Sequence, residues 1–180
     1  MNNWNQDKYI KAWNYASKIH NGQLLPSSDI PYINHIGLVA MEAMSAIANG
    51  NVDNPDLLIQ CALLHDSIED TPSTYEDILS TFGVDVADGV LALSKNKNLQ
   101  SKQEQMDDSL NRIMKQPKEI WMVKLSDRIT NLQPPPEKWD KTKINNYREE
   151  AKQILGKLAD ANNFLSNRLQ SKITNYKQYL

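Results

Sequence analysis

Apolar residues recur at intervals of three and four positions along most of the chain, the spacing that places them on one side of an α-helix. The pattern predicts helical segments at about residues 4–20, 35–47, 57–66, 73–83, 84–94, a segment that ends before Pro117, 118–132, 140–160 and 162–178. Neither the alternation typical of strands nor an internal repeat is evident. The sequence therefore predicts an all-α fold, a bundle of about eight helices.

Loops and caps separate these helical segments. Gly22 and two prolines mark a loop over residues 21–33, in which a small hairpin is an open alternative. Ser73 is followed three positions later by Glu76, the spacing of a capping box, so we expect a helix to begin there. The polar stretch at residues 96–108 is predicted to be a mobile connector.

The composition disfavours several classes of protein. The chain has 180 residues, a formal charge of −2 and a pI of about 5.9. We expect one domain over residues 1–180 and no nucleic-acid partner, because nucleic-acid-binding domains usually carry a basic surface. Cys61 is the one cysteine, which excludes an internal disulfide and favours a reducing compartment. With no signal-peptide or membrane-span pattern, the sequence predicts a cytoplasmic protein without a membrane partner.

The apolar run that begins at Leu57 ends in a cluster of ionisable residues. Its side chains are apolar at nearly every angle around a helix, so this helix should be buried. His65, Asp66, Glu69 and Asp70 follow directly. Buried carboxylates need a neutralising partner, because desolvation and mutual repulsion otherwise raise their pKa values. Imidazole with carboxylates suits a divalent cation such as Mn²⁺, Fe²⁺ or Zn²⁺. The alternative is an exposed turn with a solvated acidic patch.

A second candidate group lies in the predicted helix VKLSDRITNL. Lys124, Asp127, Arg128 and Asn131 fall on one arc of this helix. The arc either contributes to the same site or is a solvated face with a local ion pair. Further metal ligands must come from elsewhere in the chain, and His35 opens another predicted helix.

Together these residues resemble the HD metal-dependent phosphohydrolases, a helical superfamily with the signature H…HD…D, here His35, His65, Asp66 and Asp127. Further motifs are similar to the hydrolase domain of the RelA/SpoT enzymes, and most of all to the free-standing small alarmone hydrolases. These motifs are HxGQ at residues 20–23, PYINH at 31–35, ALLHDSIEDT at 62–71, FG at 82–83, VKLSDRITNL at 123–132 and W-x7-Y at 139–147. The resemblance covers about residues 5–160 and implies an HD-type bundle, with residues 161–180 as a C-terminal helix mostly outside it.

The resemblance also implies an activity. The family removes the 3′-pyrophosphate of the guanosine alarmones (p)ppGpp, usually with Mn²⁺, and the four signature residues would bind the metal. Glu69 and Asp70 match the pair to which the family assigns water activation and proton transfer. Asn131 and Tyr147 match positions that the family uses around the nucleotide.

The basic residues of the site are less closely specified by the resemblance. Lys95, or else Lys97 or Lys102, would meet the phosphates from the middle segment of the chain. Lys124 and Arg128 either assist there or pair only with carboxylates.

One motif departs from the family pattern. A basic pair, R-K, usually follows HxGQ, and here those positions hold Leu24, Leu25 and Pro26. The change removes a stacking plane and several fixed hydrogen-bond donors. Two alternatives therefore stand beside alarmone hydrolysis: a hydrolase of another phosphorylated nucleotide, and a non-catalytic nucleotide-binding regulatory module. Residues 161–180 either cap the domain or form an oligomer contact.

Overall fold

The computed structural model describes residues 4–180 of the chain. The α-helices, in chain order, are α1 (Gln6–Ile19), α2 (Ile33–Asn49), α3 (Pro55–Leu64), α4 (Ser67–Asp70), α5 (Tyr75–Phe82), α6 (Val84–Leu93), α7 (Lys102–Ile113), α8 (Lys118–Asn131), α9 (Lys141–Leu158) and α10 (Asn163–Asn175). Two 3-10 helices occupy Ala159–Ala161 and Tyr176–Tyr179. Within residues 4–180 no strand is formed, so the predicted all-α fold is confirmed.

Helices α2, α3 and α8 pack against one another at the centre of the bundle. Every residue from Leu57 to Leu64 in α3 is buried. Helices α1 and α6 cover other sides of α3, while α9 and α10 pack onto α8. The apolar run of the sequence is thus the innermost helix, because its side chains meet protein on every side.

Helix α8 is also buried around most of its circumference, although many of its residues are polar. Lys124, Ser126, Asp127, Arg128 and Thr130 are all buried. The alternative of a solvated face for VKLSDRITNL is therefore wrong. Burying so many polar groups is tolerated only where hydrogen bonds and opposite charges satisfy most of them.

The cap of α5 lies one residue later than predicted. Thr74, rather than Ser73, caps the helix: its hydroxyl accepts from the Asp77 N–H, and the Asp77 carboxylate accepts from the Thr74 N–H. Aspartate takes the place that glutamate has in the sequence pattern of a capping box. Adjacent Ser and Thr residues explain why the pattern selected the wrong one.

The predicted connector over residues 96–108 contains the first half of a helix. Helix α7 begins at Lys102, because Ser101 and Glu104 form a second capping box. Met106 then faces the core. The prediction of a connector was therefore wrong from Lys102 onward.

The loop over residues 21–33 contains one isolated antiparallel bridge, between Leu24 and Pro31, rather than a pair of strands. The Tyr32 N–H donates to the Gln23 carbonyl at 2.9 Å. This bond anchors Tyr32 directly before α2, which begins at the following residue.

The C-terminal helix caps the bundle of its own chain. Leu165, Leu169 and Ile173 of α10 are buried where this helix packs onto α8 and α9. Arg168 donates to both carboxylate oxygens of Glu42 in α2, at 2.5 and 2.6 Å.

Among the helices of residues 4–180, none combines the length and the apolar character needed to cross a membrane.

We expect Arg168→Gln to lower the free energy of unfolding by about 2 kcal/mol, because it leaves the buried Glu42 carboxylate without its cation. Urea denaturation followed by circular dichroism measures the change. Lys152→Gln is the matched control: it breaks the exposed contact with Glu149 at 2.6 Å and should cost less than about 0.5 kcal/mol. Equal losses of unfolding free energy in the two variants would show that burial of Glu42 does not make its pair with Arg168 more stabilising than an exposed pair.

Candidate metal centre

The helical path breaks between Leu64 and Ser67, at the HD motif. Helix α3 ends at Leu64 and α4 begins at Ser67, and Asp66 between them has φ −99° and ψ 3°, outside the α-helical range. On an unbroken helix, neighbouring side chains diverge by roughly 100°. Here His65 Nε2 and Asp66 Oδ2 approach to 2.9 Å. The break therefore lets two adjacent side chains face one space.

Side chains from α2, α8 and the end of α3 meet in that space. His35, His65 and Asp127 offer ligand atoms that all lie within 4.8 Å of one another. His35 Nε2 is 3.3 Å from His65 Nε2 and 3.5 Å from Asp127 Oδ1. Asp66 lies at the edge of this group, with its Oδ2 3.6 Å from His35 Nε2. The four residues of the signature are thus brought together.

Hydrogen bonds from surrounding groups orient the ligand atoms. His65 Nδ1 lies 2.9 Å from the Ala62 carbonyl, to which it donates, so in the neutral ring Nε2 carries the free lone pair. The Tyr32 hydroxyl donates to Asp66 Oδ2 at 2.6 Å. Both bonds restrict how the side chains can turn, which favours a preformed cluster.

Two residues of the same helix hold the carboxylate of Asp127: Lys124, one turn before it, and Asn131, one turn after it. Lys124 Nζ donates to Oδ2 at 3.1 Å, and the Asn131 amide donates to Oδ1. Burial by itself raises the pKa of Asp127, but the Lys124 ammonium and the two nearby imidazoles outweigh burial and bring the pKa to about 2. Asp127 is therefore ionised at neutral pH.

The other members of the cluster also have displaced pKa values. Burial opposes ionisation of Asp66, yet His65 and the Tyr32 hydroxyl hold the pKa of Asp66 well below its usual range. Burial lowers the pKa of His65, but the Asp66 carboxylate more than offsets it and raises that pKa to about 9. Burial, reinforced by His65, lowers the pKa of His35. Two ionised carboxylates attract a cation, which would displace the proton that His65 carries at neutral pH.

The donor set fits a divalent cation. Bonds of about 2.1 Å from imidazole nitrogen or carboxylate oxygen to such an ion place neighbouring ligand atoms roughly 3 to 4 Å apart. The separations between ligand atoms of the four residues run from 2.9 to 3.9 Å. Two carboxylates also balance the two positive charges of the ion. Mixed nitrogen and oxygen donors of this kind suit Mn²⁺, Fe²⁺ and Zn²⁺.

The two remaining carboxylates of the motif lie beside lysines on the approach to the cluster. Glu69 Oε2 accepts from the main-chain N–H of Lys95 at 2.8 Å. Lys97 Nζ is 3.6 Å from Asp70 Oδ1. Burial, followed by the charges of Asp66 and Glu69, raises the pKa of Asp70. Asp70 therefore takes up a proton more readily than an ordinary aspartate.

A cavity of about 120 Å³ opens next to the cluster. Most of the predicted site residues line it, namely His65, Asp66, Glu69, Asp70, Lys95, Lys124, Asp127 and Asn131. Tyr32 and Leu93 complete its wall. Tyr32 was missing from the predicted site, although it stands inside the PYINH motif. The PYINH motif could have pointed to Tyr32, but the contact between the Tyr32 hydroxyl and Asp66 is visible only in the folded chain.

Arg128 and Tyr147 do not line this cavity and instead stack on each other. The guanidinium carbon of Arg128 lies 4.5 Å from the centre of the Tyr147 ring, and the guanidinium donates to Glu150 at 3.2 Å. Burial raises the pKa of Tyr147 to about 12, so the ring is neutral. The observed partners of Arg128 are thus the Glu150 carboxylate and the ring and main-chain carbonyl of Tyr147.

Comparison with known proteins supports the same grouping. A model of the HD domain family matches residues 12–163. A zebrafish (Danio rerio) protein named guanosine-3′,5′-bis(diphosphate) 3′-pyrophosphohydrolase MESH1 is 31% identical over 167 residues, which cover 89% of each chain. The bifunctional (p)ppGpp synthase/hydrolase SpoT of Escherichia coli is 37% identical over 127 residues, which cover 68% of this chain and 17% of SpoT.

Solved structures resemble the chain over most of its length. One, described as a metazoan ortholog of SpoT that hydrolyses ppGpp, aligns with a TM-score of 0.81 at 27% identity and covers 93% of this chain and 94% of its own. A protein from Listeria monocytogenes EGD-e shares the fold with a TM-score of 0.64 at 23% identity, covering 82% of this chain and 96% of its own. The resemblance read from the motifs is confirmed: the chain belongs to the HD domain family, in the group that contains MESH1 and part of SpoT.

Proposed function

We propose that this protein is a metal-dependent hydrolase that removes the 3′-pyrophosphate of (p)ppGpp, the reaction for which its MESH1 relatives are named. The observation that carries the proposal is the position of Glu69 and Asp70 on the wall of a cavity beside the cluster of histidines and aspartates. A binding module needs a cation and a nucleotide pocket, but it has no use for this second pair of carboxylates. Hydrolysis is therefore favoured over a non-catalytic regulatory role.

Four residues would hold the cation: His35, His65, Asp66 and Asp127. A divalent cation bound there lowers the pKa of a water molecule and polarises a phosphoryl oxygen. Mn²⁺ is the ion we propose, because imidazole and carboxylate donors with positions left for water suit it, and Fe²⁺ and Zn²⁺ are its competitors.

Glu69 is assigned to orienting the attacking water and accepting its proton. The Lys95 N–H holds one carboxylate oxygen of Glu69 at 2.8 Å, while lone pairs remain to accept a bond from water. Asp70 has a pKa raised by burial and by adjacent carboxylates. It is thus suited to donate a proton to the ribose 3′-oxygen, which departs when water attacks the phosphorus bonded to it.

Phosphoryl transfer depends mainly on positioning and on neutralising charge. Lys95 and Lys124 supply positive charge on the cavity wall. Asn131, on the same wall, and Tyr147 are assigned to the nucleotide. Arg128 supports this arrangement indirectly, because its guanidinium stacks on the Tyr147 ring.

A hydrolase of another phosphorylated nucleotide is the second candidate. The loop over residues 21–33 contains neither Arg nor Lys, and Leu24 and Pro26 in it are exposed. This loop therefore offers no guanidinium to stack on a base. The cation ligands and the proton-transfer pair serve either substrate.

A cytoplasmic location stays a prediction, and the free, buried Cys61 agrees with it.

Product analysis of the purified protein with Mn²⁺ tests the substrate. We expect release of pyrophosphate from ppGpp, and little turnover of a panel of 3′- and 2′-phosphorylated nucleotides and deoxynucleoside triphosphates. Turnover confined to one member of the panel would favour the second candidate. No turnover of any compound would favour the non-catalytic role.

Glu69→Gln should lower kcat by about 10²- to 10⁴-fold and leave the metal content unchanged, because an amide keeps the shape of the side chain but accepts no proton. Steady-state kinetics and elemental analysis measure the two quantities. Glu76→Gln, an exposed position on α5, is the matched control and should retain full activity. A fully active Glu69→Gln variant would exclude the role given to Glu69.

His65→Ala and Asp127→Ala should each reduce the bound metal from about one ion per chain to a small fraction, because each removes a ligand of the cluster. Elemental analysis after dialysis against Mn²⁺ measures the content. His20→Gln is the control: His20 is buried outside the cluster and contacts Gln23 at 2.6 Å. Unchanged metal content in both alanine variants would rule out the cluster as the binding site.

A further inference from the structure

Arg112, in α7, binds the C-terminal end of α6 from outside the cavity. One terminal nitrogen of its guanidinium donates to the carbonyls of Leu91 and Ala92, at 2.5 and 3.0 Å, and the other donates to the carbonyl of Ser94 at 2.7 Å. Its Nε donates to Asp108 at 2.9 Å. A planar, permanently charged group with five N–H donors is suited to hold several carbonyls at once.

The peptide that joins Ser94 to Lys95 connects Arg112 to the carboxylate at the cavity. The carbonyl oxygen of this peptide accepts from Arg112 at 2.7 Å, and its N–H donates to Glu69 Oε2 at 2.8 Å. The C=O and N–H of a trans peptide lie in one plane and point in opposite directions. Fixing the carbonyl therefore fixes the direction of the N–H.

We propose that Arg112 is a positioning residue for Glu69 and acts through the Ser94–Lys95 peptide. The inference rests on the proposed function in that Glu69 is the proton acceptor of the reaction. The guanidinium charge on the carbonyl polarises the peptide, which makes its N–H a stronger donor. Anchoring the carbonyl also keeps the donor in place, so that the Glu69 carboxylate holds one orientation toward the attacking water.

The side chains of Lys95 and Lys97 contact Glu69 less closely than the Lys95 N–H does, or contact a different atom of Glu69. Lys95 Nζ is 3.5 Å from Glu69 Oε1, and the Lys95 side chain is 40% exposed. Lys97 Nζ binds the main-chain carbonyl of Glu69 rather than its carboxylate, and the Lys97 side chain is 63% exposed. The main-chain N–H is therefore the contact that sets the carboxylate orientation.

The amide of Lys95 tests this connection without metal or substrate. In ¹⁵N–¹H spectra, we expect Arg112→Gln to move the Lys95 amide proton upfield and to speed its exchange with solvent by about tenfold or more. Glu69→Gln should also move it, because the acceptor changes from a carboxylate to an amide. The Asp77 amide, which donates to the Thr74 hydroxyl in α5, is the internal reference. An unmoved Lys95 amide in Arg112→Gln would overturn the proposal, whatever the protein hydrolyses.

Kinetics test the consequence for the reaction. Arg112→Gln should lower kcat by about 10- to 100-fold, with KM and metal content changed by less than about threefold. Arg168→Gln is the matched control, because it also removes a charge-assisted arginine pair but lies away from Glu69, and it should retain kcat. Equal kcat values in the two variants would mean that Arg112 only stabilises the packing of α6 and α7.

Two further variants separate positioning from stability. In a Glu69→Gln background, adding Arg112→Gln should lower kcat by less than about twofold, because the contact to be oriented is already impaired. Arg112→Lys restores the charge without the planar fork and should recover part of kcat. A full additional loss in the double variant would overturn the proposal. If the unmodified protein leaves ppGpp intact, the proposed function fails, while the Lys95 amide still tests Arg112.

Discussion

The structure depends on keeping two carboxyl groups ionised in its interior. Asp66 and Asp127 lie where three helices meet, and desolvation there favours their protonated forms. Both carboxylates have lowered pKa values instead, because imidazoles contact both of them, Tyr32 donates to Asp66 and Lys124 pairs with Asp127. The groups that keep the carboxylates ionised also enclose a space suited to a divalent cation. Folding and cation binding are therefore expected to be coupled.

Two departures from ordinary helix structure help to place ionised carboxylates in the interior. Helix α3 ends at Leu64 although the chain is helical again from Ser67, and the interruption turns His65 and Asp66 toward the same space. Helix α8 is buried on most sides while carrying charged residues. Each departure is costly for an isolated helix, and contacts in the bundle offset part of the cost by pairing buried charges, such as Lys124 with Asp127 and Arg128 with Glu150.

The carboxylates of the site fall into two environments with different chemistry. Asp66 and Asp127 lie among cations and hydrogen-bond donors that lower their pKa values. Asp70 lies beside other carboxylates, and its pKa is raised by burial and by those charges. Glu69 is fixed by a main-chain donor. Environments that push pKa values apart are typical of sites that combine charge stabilisation with proton transfer. This division agrees with a hydrolytic function.

The sequence by itself determined most of the helices, although not the first half of α7, and the chemical inventory of the site, because helix periodicity and the H…HD…D motif are properties of residues along the chain. It misplaced the cap of α5, since Ser73 and Thr74 satisfy similar patterns, and it did not select Tyr32. Only the tertiary structure decided that Tyr32 binds Asp66, 34 positions away, and that Arg112 reaches the peptide that holds Glu69. Such contacts join residues from different helices. They depend on how the helices pack, which no local pattern records.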